Sequence, residues 1–112
     1  MLKIIRNPEF KAQVKVLVPS DGGQREQQFT VRFRALTRSE EAGFDAMSAT
    51  STDDFLRRIV IGWEELKDED GQTFEFSDEH LSLLIDLHYI RFAIVQAYTN
   101  AISGVRAAKR GN

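Results

Sequence analysis

The hydrophobic pattern changes its period once along the chain, and this change constrains the fold more than any other feature. Up to about residue 34, apolar residues alternate with polar ones, which is typical of strands buried on one face. After residue 37, apolar residues recur at spacings of three and four, which is typical of amphipathic helices. The sequence therefore predicts an α+β fold, an N-terminal β-hairpin followed by about four α-helices.

Two alternating segments predict the hairpin. Their inward-facing residues are Ala12, Val14, Val16 and Val18 in the first segment, and Phe29, Val31 and Phe33 in the second. Gly22 and Gly23 supply a turn between them. The connection from Ser20 to Gln27 is long for a tight hairpin and has no large apolar residue, so we expect a mobile loop there.

Capping signals predict where the first two helices begin. Thr37-Arg38-Ser39-Glu40 matches a capping box, and a short helix should run from it to about Met47. Ser51 or Thr52 should cap the second helix, with Asp53 and Asp54 complementing its dipole. The second helix should carry Phe55, Ile59 and Trp63 on one stripe, with Trp63 in the core.

Two further helices should complete the domain. Ser77 should cap the third helix after a short extended segment around Phe74 and Phe76. The last helix has a clear apolar stripe: Ile90, Ile94, Ala97, Tyr98, Ala101, Ile102 and Val105. Gly104 should interrupt this helix, and the second and last helices should form the packing centre.

The length predicts one domain. At 112 residues, we expect a single compact domain over 1–106 and a flexible polar tail over 107–112. No apolar run approaches the roughly 20 residues needed to cross a bilayer, and no signal peptide is evident. We therefore expect no membrane contact and a cytoplasmic location.

The charges are segregated along the chain. Residues 1–36 carry seven Lys/Arg and three Asp/Glu, residues 37–80 carry four and thirteen, and residues 81–112 carry four and one. A nucleic-acid-binding domain would need a concentrated basic face, so we expect no nucleic-acid partner. The pattern instead favours charge complementarity within the fold or towards another protein.

The residues that usually perform chemistry are missing or isolated. The chain has no Cys, and His80 and His88 are too far apart for a metal pair on one helix. If Asp70 precedes the sharp-turn glycine of a calcium loop, Leu66 and Ser77 occupy ligand positions they cannot fill. No phosphate-binding loop or nucleophile elbow occurs. We therefore expect no enzyme activity, no metal and no cofactor.

The outer face of the last helix is the first candidate contact surface. Phe92 and Val95 lie well away from the Ile94/Tyr98 side of this helix, so either the helix is central or its outer face meets another protein. We expect Phe92, Val95 and Thr99 to contribute to contact with a partner or with a second copy. A homo-oligomer is therefore one of the expected assemblies.

The acidic stretch from Glu64 to Asp70 is the second candidate contact surface. Its side chains Glu64, Glu65, Asp68 and Asp70 could tune the encounter with a partner by charge complementarity.

The order of these features resembles one known family. The matching segments are Phe33-Arg34-Ala35-Leu36-Thr37, Phe55-Leu56, Ile59 to Trp63, Asp68 to Gly71, Phe76-Ser77, Leu81 to Leu84, Ile90 to Ile94 and Ala97-Tyr98. Together they resemble the tail assembly chaperones of long-tailed, lambda-like phages and prophages. The resemblance covers about residues 10–105, and family members often have Pro where this chain has His88.

The resemblance implies a binding protein. Such a chaperone would bind the tape measure protein, keep it soluble, assist assembly of the tail tube protein, and be absent from the finished virion. A programmed frameshift lengthens a fraction of the chains in lambda-like relatives, and the tail from Ala107 is a candidate fusion point. Two alternatives stay open: a structural tail component such as a connector or tail-completion subunit, and a small regulatory or antitoxin-like binding module.

Overall fold

The described part of the chain forms a three-stranded sheet and four helices. The computed structural model describes residues 1–43 and 49–104. Its elements are β1 (Glu9–Ser20), β2 (Gly23–Arg34), α1 (Arg38–Glu41), α2 (Ala49–Ile59), β3 (Val60–Glu64), α3 (Asp78–Ile85) and α4 (His88–Ser103). The strands form one antiparallel sheet in the order β1-β2-β3. The predicted α+β class is confirmed, and the sheet has one strand more than the expected hairpin.

The hairpin is longer and tighter than predicted. The β1–β2 ladder runs from Glu9 opposite Arg34 to Ser20 opposite Gly23, so the turn has two residues and the expected loop from Ser20 to Gln27 was wrong. Gly22 closes the turn at φ 79°, where a residue without a Cβ is favoured. Residues 23–28 are exposed on both faces of the ribbon. This explains why apolar and polar residues do not alternate in this part of the sequence.

The second helix ends before Trp63, and Trp63 lies in a strand instead of in the predicted helix. α2 ends at Ile59, and β3 pairs with the free edge of β2, placing Trp63 opposite Val31. The run Ile59-Val60-Ile61 has β-branched side chains, which favour strands. Trp63 therefore does not lie on a helical stripe, but it packs half-buried against the core as a strand residue.

The start of α2 also differs from the prediction. α2 begins at Ala49, so the expected caps Ser51 and Thr52 lie inside the helix. Asp53 lies beyond the first helical turn, so it does not complement the helix dipole as expected. Its carboxylate instead pairs with the Arg91 guanidinium of α4 at 2.5 Å. The expected first helix to Met47 ends at Glu41, and residues 44–48 lie outside the described residues.

The α1 cap was predicted correctly. The Thr37 hydroxyl accepts a hydrogen bond from the Glu40 amide, and the Glu40 carboxylate accepts one from the Thr37 amide (3.2 and 2.8 Å). Asn7 donates its side-chain N–H to the same carboxylate and to the carbonyl of Ala35, at 2.8 and 2.9 Å. The capping box therefore also fixes the chain where it enters β1.

Among the residues that the structure describes, one core joins the inner face of the sheet to three helices. Its most buried members are Val14, Val31, Phe33, Leu56, Ile59, Val60, Leu81, Ile94 and Tyr98. The Tyr98 ring packs on Phe33 and Phe55, with centroids 5.6 and 5.5 Å apart. Its hydroxyl accepts a hydrogen bond from the buried amide of Leu36 at 2.9 Å and donates one to Glu41. Tyr98 thus ties α4 to the end of β2.

The end of α4 is less buried than its sequence pattern predicts. Ala101 and Ile102 are exposed, because the helix extends beyond the part that packs on the sheet. Gly104 ends the helix in the left-handed conformation at φ 77°, which confirms the predicted interruption. Val105 and the predicted tail over 107–112 lie outside the described residues.

The Tyr98 hydroxyl gives the first prediction. Tyr98→Phe keeps the ring packing but leaves the buried Leu36 amide without its acceptor, so the free energy of unfolding should fall by about 1–3 kcal/mol. Urea denaturation measures this loss. Tyr89→Phe is the matched control, because Tyr89 is exposed, and it should change stability by less than about 0.5 kcal/mol. Equal losses in the two variants would contradict the assignment.

The Glu40 carboxylate gives a prediction about pH. The hydrogen bond from the Thr37 amide, followed by that from Asn7, holds the pKa of Glu40 below its ordinary value of 4.5. Its contribution to stability is therefore complete above about pH 4.5 and is lost as pH falls through the lowered pKa. Unfolding measured across this acidic range should show a weaker pH dependence for Glu40→Gln than for the wild type. An unchanged pH profile would contradict this.

Candidate binding surface

Exposed apolar side chains surround the start of α4. Phe92 is 70% exposed, and Leu17 of β1 and Tyr89 of α4 are also exposed. Large apolar side chains that share an exposed surface commonly mark a contact with another molecule. The outer half of the hairpin and the first turns of α4 therefore form the candidate surface.

One groove runs between the hairpin and the first turns of α4, and we call it the arm groove. It has a volume of about 670 Å³. Its apolar lining is Leu17, Pro19, Tyr89, Phe92, Ala93 and Val95. Lys15 and Arg91 also line it, and no carboxylate does among the described residues. The arm groove thus combines an apolar surface with the positive charge of Lys15, because Arg91 already pairs with Asp53.

A second groove lies beside the acidic stretch, and we call it the acidic groove. It has a volume of about 450 Å³, and Val16, Val18, Leu66 and Tyr89 supply apolar surface to it. Glu65, Lys67 and Asp68 also line this groove. Alternate residues of β1 therefore face the two grooves, and Tyr89 borders both.

The acidic stretch is partly occupied by contacts within the chain. Glu64 pairs with Lys11 at 2.5 Å, and Glu65 accepts a hydrogen bond from the Thr30 hydroxyl at 2.8 Å. Asp68 accepts hydrogen bonds from the backbone amides of residues 70 and 72, both at 2.9 Å, and so closes its own turn. These three carboxylates therefore stabilise the fold through contacts within the chain.

The structure separates the predicted site residues into groups. Phe92 and Val95 line the arm groove, whereas Glu65 and Asp68 line the acidic groove. Thr99 and Asp70 are exposed and line neither groove, and Glu64 contacts the outer face of the sheet through Lys11. The predicted residues therefore do not form one continuous site.

Sequence analysis did not identify three residues of the candidate surface: Leu17, Pro19 and Tyr89. Leu17 gave a usable signal, since it is a large apolar residue on the otherwise polar face of β1. Tyr89 and Pro19 gave none, because their position depends on the length of the hairpin and on how α4 packs against β1.

An aromatic cluster holds the acidic stretch in place. The Trp63 indole N–H donates to the carbonyl of Phe74 at 2.6 Å, as expected for a locally satisfied Trp. Phe74 stacks on the His80 ring with centroids 4.1 Å apart, and this contact partly buries His80. His88 is exposed at the start of α4.

Neither metal ligation nor membrane spanning has support in the described part of the chain. No three His, Asp or Glu side chains there are grouped so that they could hold a metal ion. The helices within 1–43 and 49–104 lack the length and hydropathy that a membrane span requires.

One of the comparisons with known proteins identifies a family. A family model described as phage tail assembly chaperone matches residues 1–109, nearly the whole chain. No curated protein and no solved structure gives a significant match. The family match covers both grooves and all elements of the fold.

The exposure of Phe92 gives a prediction about stability. Phe92→Ser should change the free energy of unfolding by less than about 0.5 kcal/mol, because its side chain is mostly in water. Ile94→Ser on the buried side of the same helix should cost more than about 3 kcal/mol. Urea denaturation of both variants checks the contrast. A large loss in Phe92→Ser would show that Phe92 belongs to the core.

Proposed function

Since the chain belongs to the phage tail assembly chaperone family, we propose that it binds the tape measure protein, keeps this long helical polypeptide soluble and helps tail tube subunits gather on it. A tail assembly chaperone has a non-catalytic role, so the protein acts through its surface. In this proposal it works in the cytoplasm of the bacterial host and is absent from the mature virion.

The arm groove is the observation that carries the proposal. A client helix can place its apolar stripe against Leu17, Phe92 and Val95, which is the general way a groove recognises an amphipathic helix. Covering Phe92 removes a large apolar side chain from water, and this stabilises the complex.

The charge of the arm groove narrows the kind of client segment. Lys15 supplies a positive charge to the lining of the groove, whereas Arg91, which also lines it, pairs with Asp53. Opposite charges at the rim of an interface favour encounter and register. We therefore propose that the bound segment of the tape measure protein carries acidic residues beside its apolar stripe.

Co-expression tests the proposal. The tape measure protein encoded beside this chain should be soluble with the wild type, and the soluble fraction should fall severalfold with Phe92→Ser, because losing one buried aromatic weakens binding by about tenfold or more. The matched control is Leu83→Ser, which removes an exposed leucine of α3 that does not line either groove. Pull-down of the client from the same lysates measures binding directly.

Two outcomes would contradict the proposal. The first is a Phe92→Ser chain that keeps the client as soluble as the wild type does. The second is detection of the chain in purified particles in fixed proportion to the tail tube protein, which would instead identify a structural tail component.

A further inference from the structure

A further cavity continues the arm groove along α4, and we call it the polar cavity. It has a volume of about 560 Å³. Four residues line both the arm groove and the polar cavity: Lys15, Leu17, Ala93 and Gln96. Because the two spaces have these walls in common, they form one continuous path along the surface, and a single ligand can occupy both.

Two elements run side by side along this path in opposite directions. Pro19 and Tyr89 line its arm-groove end, whereas Gln13 and Asn100 line its polar end. Between residues 89 and 100, α4 rises about 17 Å, and β1 spans about 20 Å between residues 13 and 19. The path is therefore about three helical turns long.

The chemistry of the lining changes from one end of the path to the other. The arm groove offers the apolar side chains of Leu17, Phe92 and Val95. The polar cavity adds the carboxamides of Gln13 and Asn100, which can both donate and accept hydrogen bonds. A ligand that matches the whole path is therefore apolar at one end and polar at the other.

The α4 wall of the path favours a helical ligand. Ala93 and Ala97 line the polar cavity one turn apart, and their small side chains let a second helix come close. The backbone N–H and C=O groups within α4 are paired inside the helix, so this wall offers no backbone partner to an extended segment. A helical ligand pairs its own backbone groups and needs no such partner.

Two charged residues further define the order of side chains along a ligand. Lys15 lies where the arm groove meets the polar cavity, so an acidic side chain of the ligand is favoured near the middle of the path. Glu26 lines the polar cavity from β2, opposite Leu17, and favours a side chain that donates hydrogen bonds.

We propose, resting on the function proposed above, that the bound segment of the tape measure protein is a helix of at least three turns that lies lengthwise along α4. Its apolar residues cover the arm groove, an acidic residue meets Lys15, and polar side chains fill the polar cavity. A helix that is apolar over its whole length binds more weakly, because it leaves the carboxamides of Gln13 and Asn100 covered and unpaired. The chain thus selects its client by the order of side chains as well as by apolar surface.

Crosslinking from the two ends of the path tests the proposal. Photoreactive benzoylphenylalanine replaces Tyr89, Asn100 or, as a control, Leu83 of α3 in the whole chain, which is co-expressed with the tape measure protein. The first two positions should each crosslink the client, at client residues about eleven positions apart, because two helices lying side by side rise equally per residue. Leu83 lines neither space and should not crosslink.

The crosslinked client residues, mapped by mass spectrometry, distinguish the alternatives. An extended client would place them about five residues apart, at the rise of a strand. A client that crosses the arm groove would crosslink from Tyr89 and not from Asn100. Either result, or equal crosslinking from Leu83, would overturn the lengthwise helix. Crosslinking from neither end of the path would instead contradict the use of the arm groove, and with it the proposed function.

A bulky substitution at the polar end gives a second test. Gln13→Trp fills the polar cavity from an exposed position of β1, where an aromatic residue suits a strand. Pull-down should show affinity for the client lowered about tenfold or more, with the fold unchanged by circular dichroism. Leu83→Trp is the matched control and should bind as the wild type does. Full binding by Gln13→Trp together with loss of binding by Phe92→Ser would overturn the proposal and leave the proposed function intact.

Discussion

The packing of α4 on the inner face of the sheet determines most of the other features. Tyr98 joins α4 to Phe33 of β2 and to Phe55 of α2, and it accepts the hydrogen bond of the Leu36 amide where the chain leaves the sheet. With this side of α4 fixed in the core, the opposite side must carry Phe92 into solvent. The start of the same helix then forms one wall of both grooves.

The hairpin separates two surfaces of unlike character. On one side of β1, apolar residues lie beside Lys15, and on the other side, apolar residues lie beside Glu65, Lys67 and Asp68. Tyr89 borders both grooves, so a ligand in either one touches a residue that the other also uses. The segregation of charge along the sequence thus corresponds to a segregation in space, with the acidic stretch fixed by Lys11, Thr30 and the Trp63–Phe74 contact.

Short sequence motifs correctly predicted the caps, the helix end and the inward face of the hairpin. They did not predict structure that depends on pairing between distant parts of the chain. The capping box at Thr37, the glycine stop at Gly104 and the inward residues of the hairpin all follow from short-range stereochemistry. The spacing of apolar residues from Phe55 onward is helical, so the sequence predicted a helix at β3. This segment forms a strand because it pairs with the free edge of β2. Phe92 was identified from its helical face, but its groove could not be, because Pro19 and Tyr89 meet only through the lengths of β1 and α4.

The outer part of the hairpin is held differently from its base. Near Val14 and Phe29 the ribbon is covered by the core, whereas residues 23–28 are in water on both faces and depend on the cross-strand ladder. Opening of a solvated ribbon disrupts few apolar contacts, so its amide protons should exchange with solvent through local unfolding while those at the base exchange only when the whole domain unfolds. The tip can therefore adjust its shape to a bound polypeptide without loss of the native core.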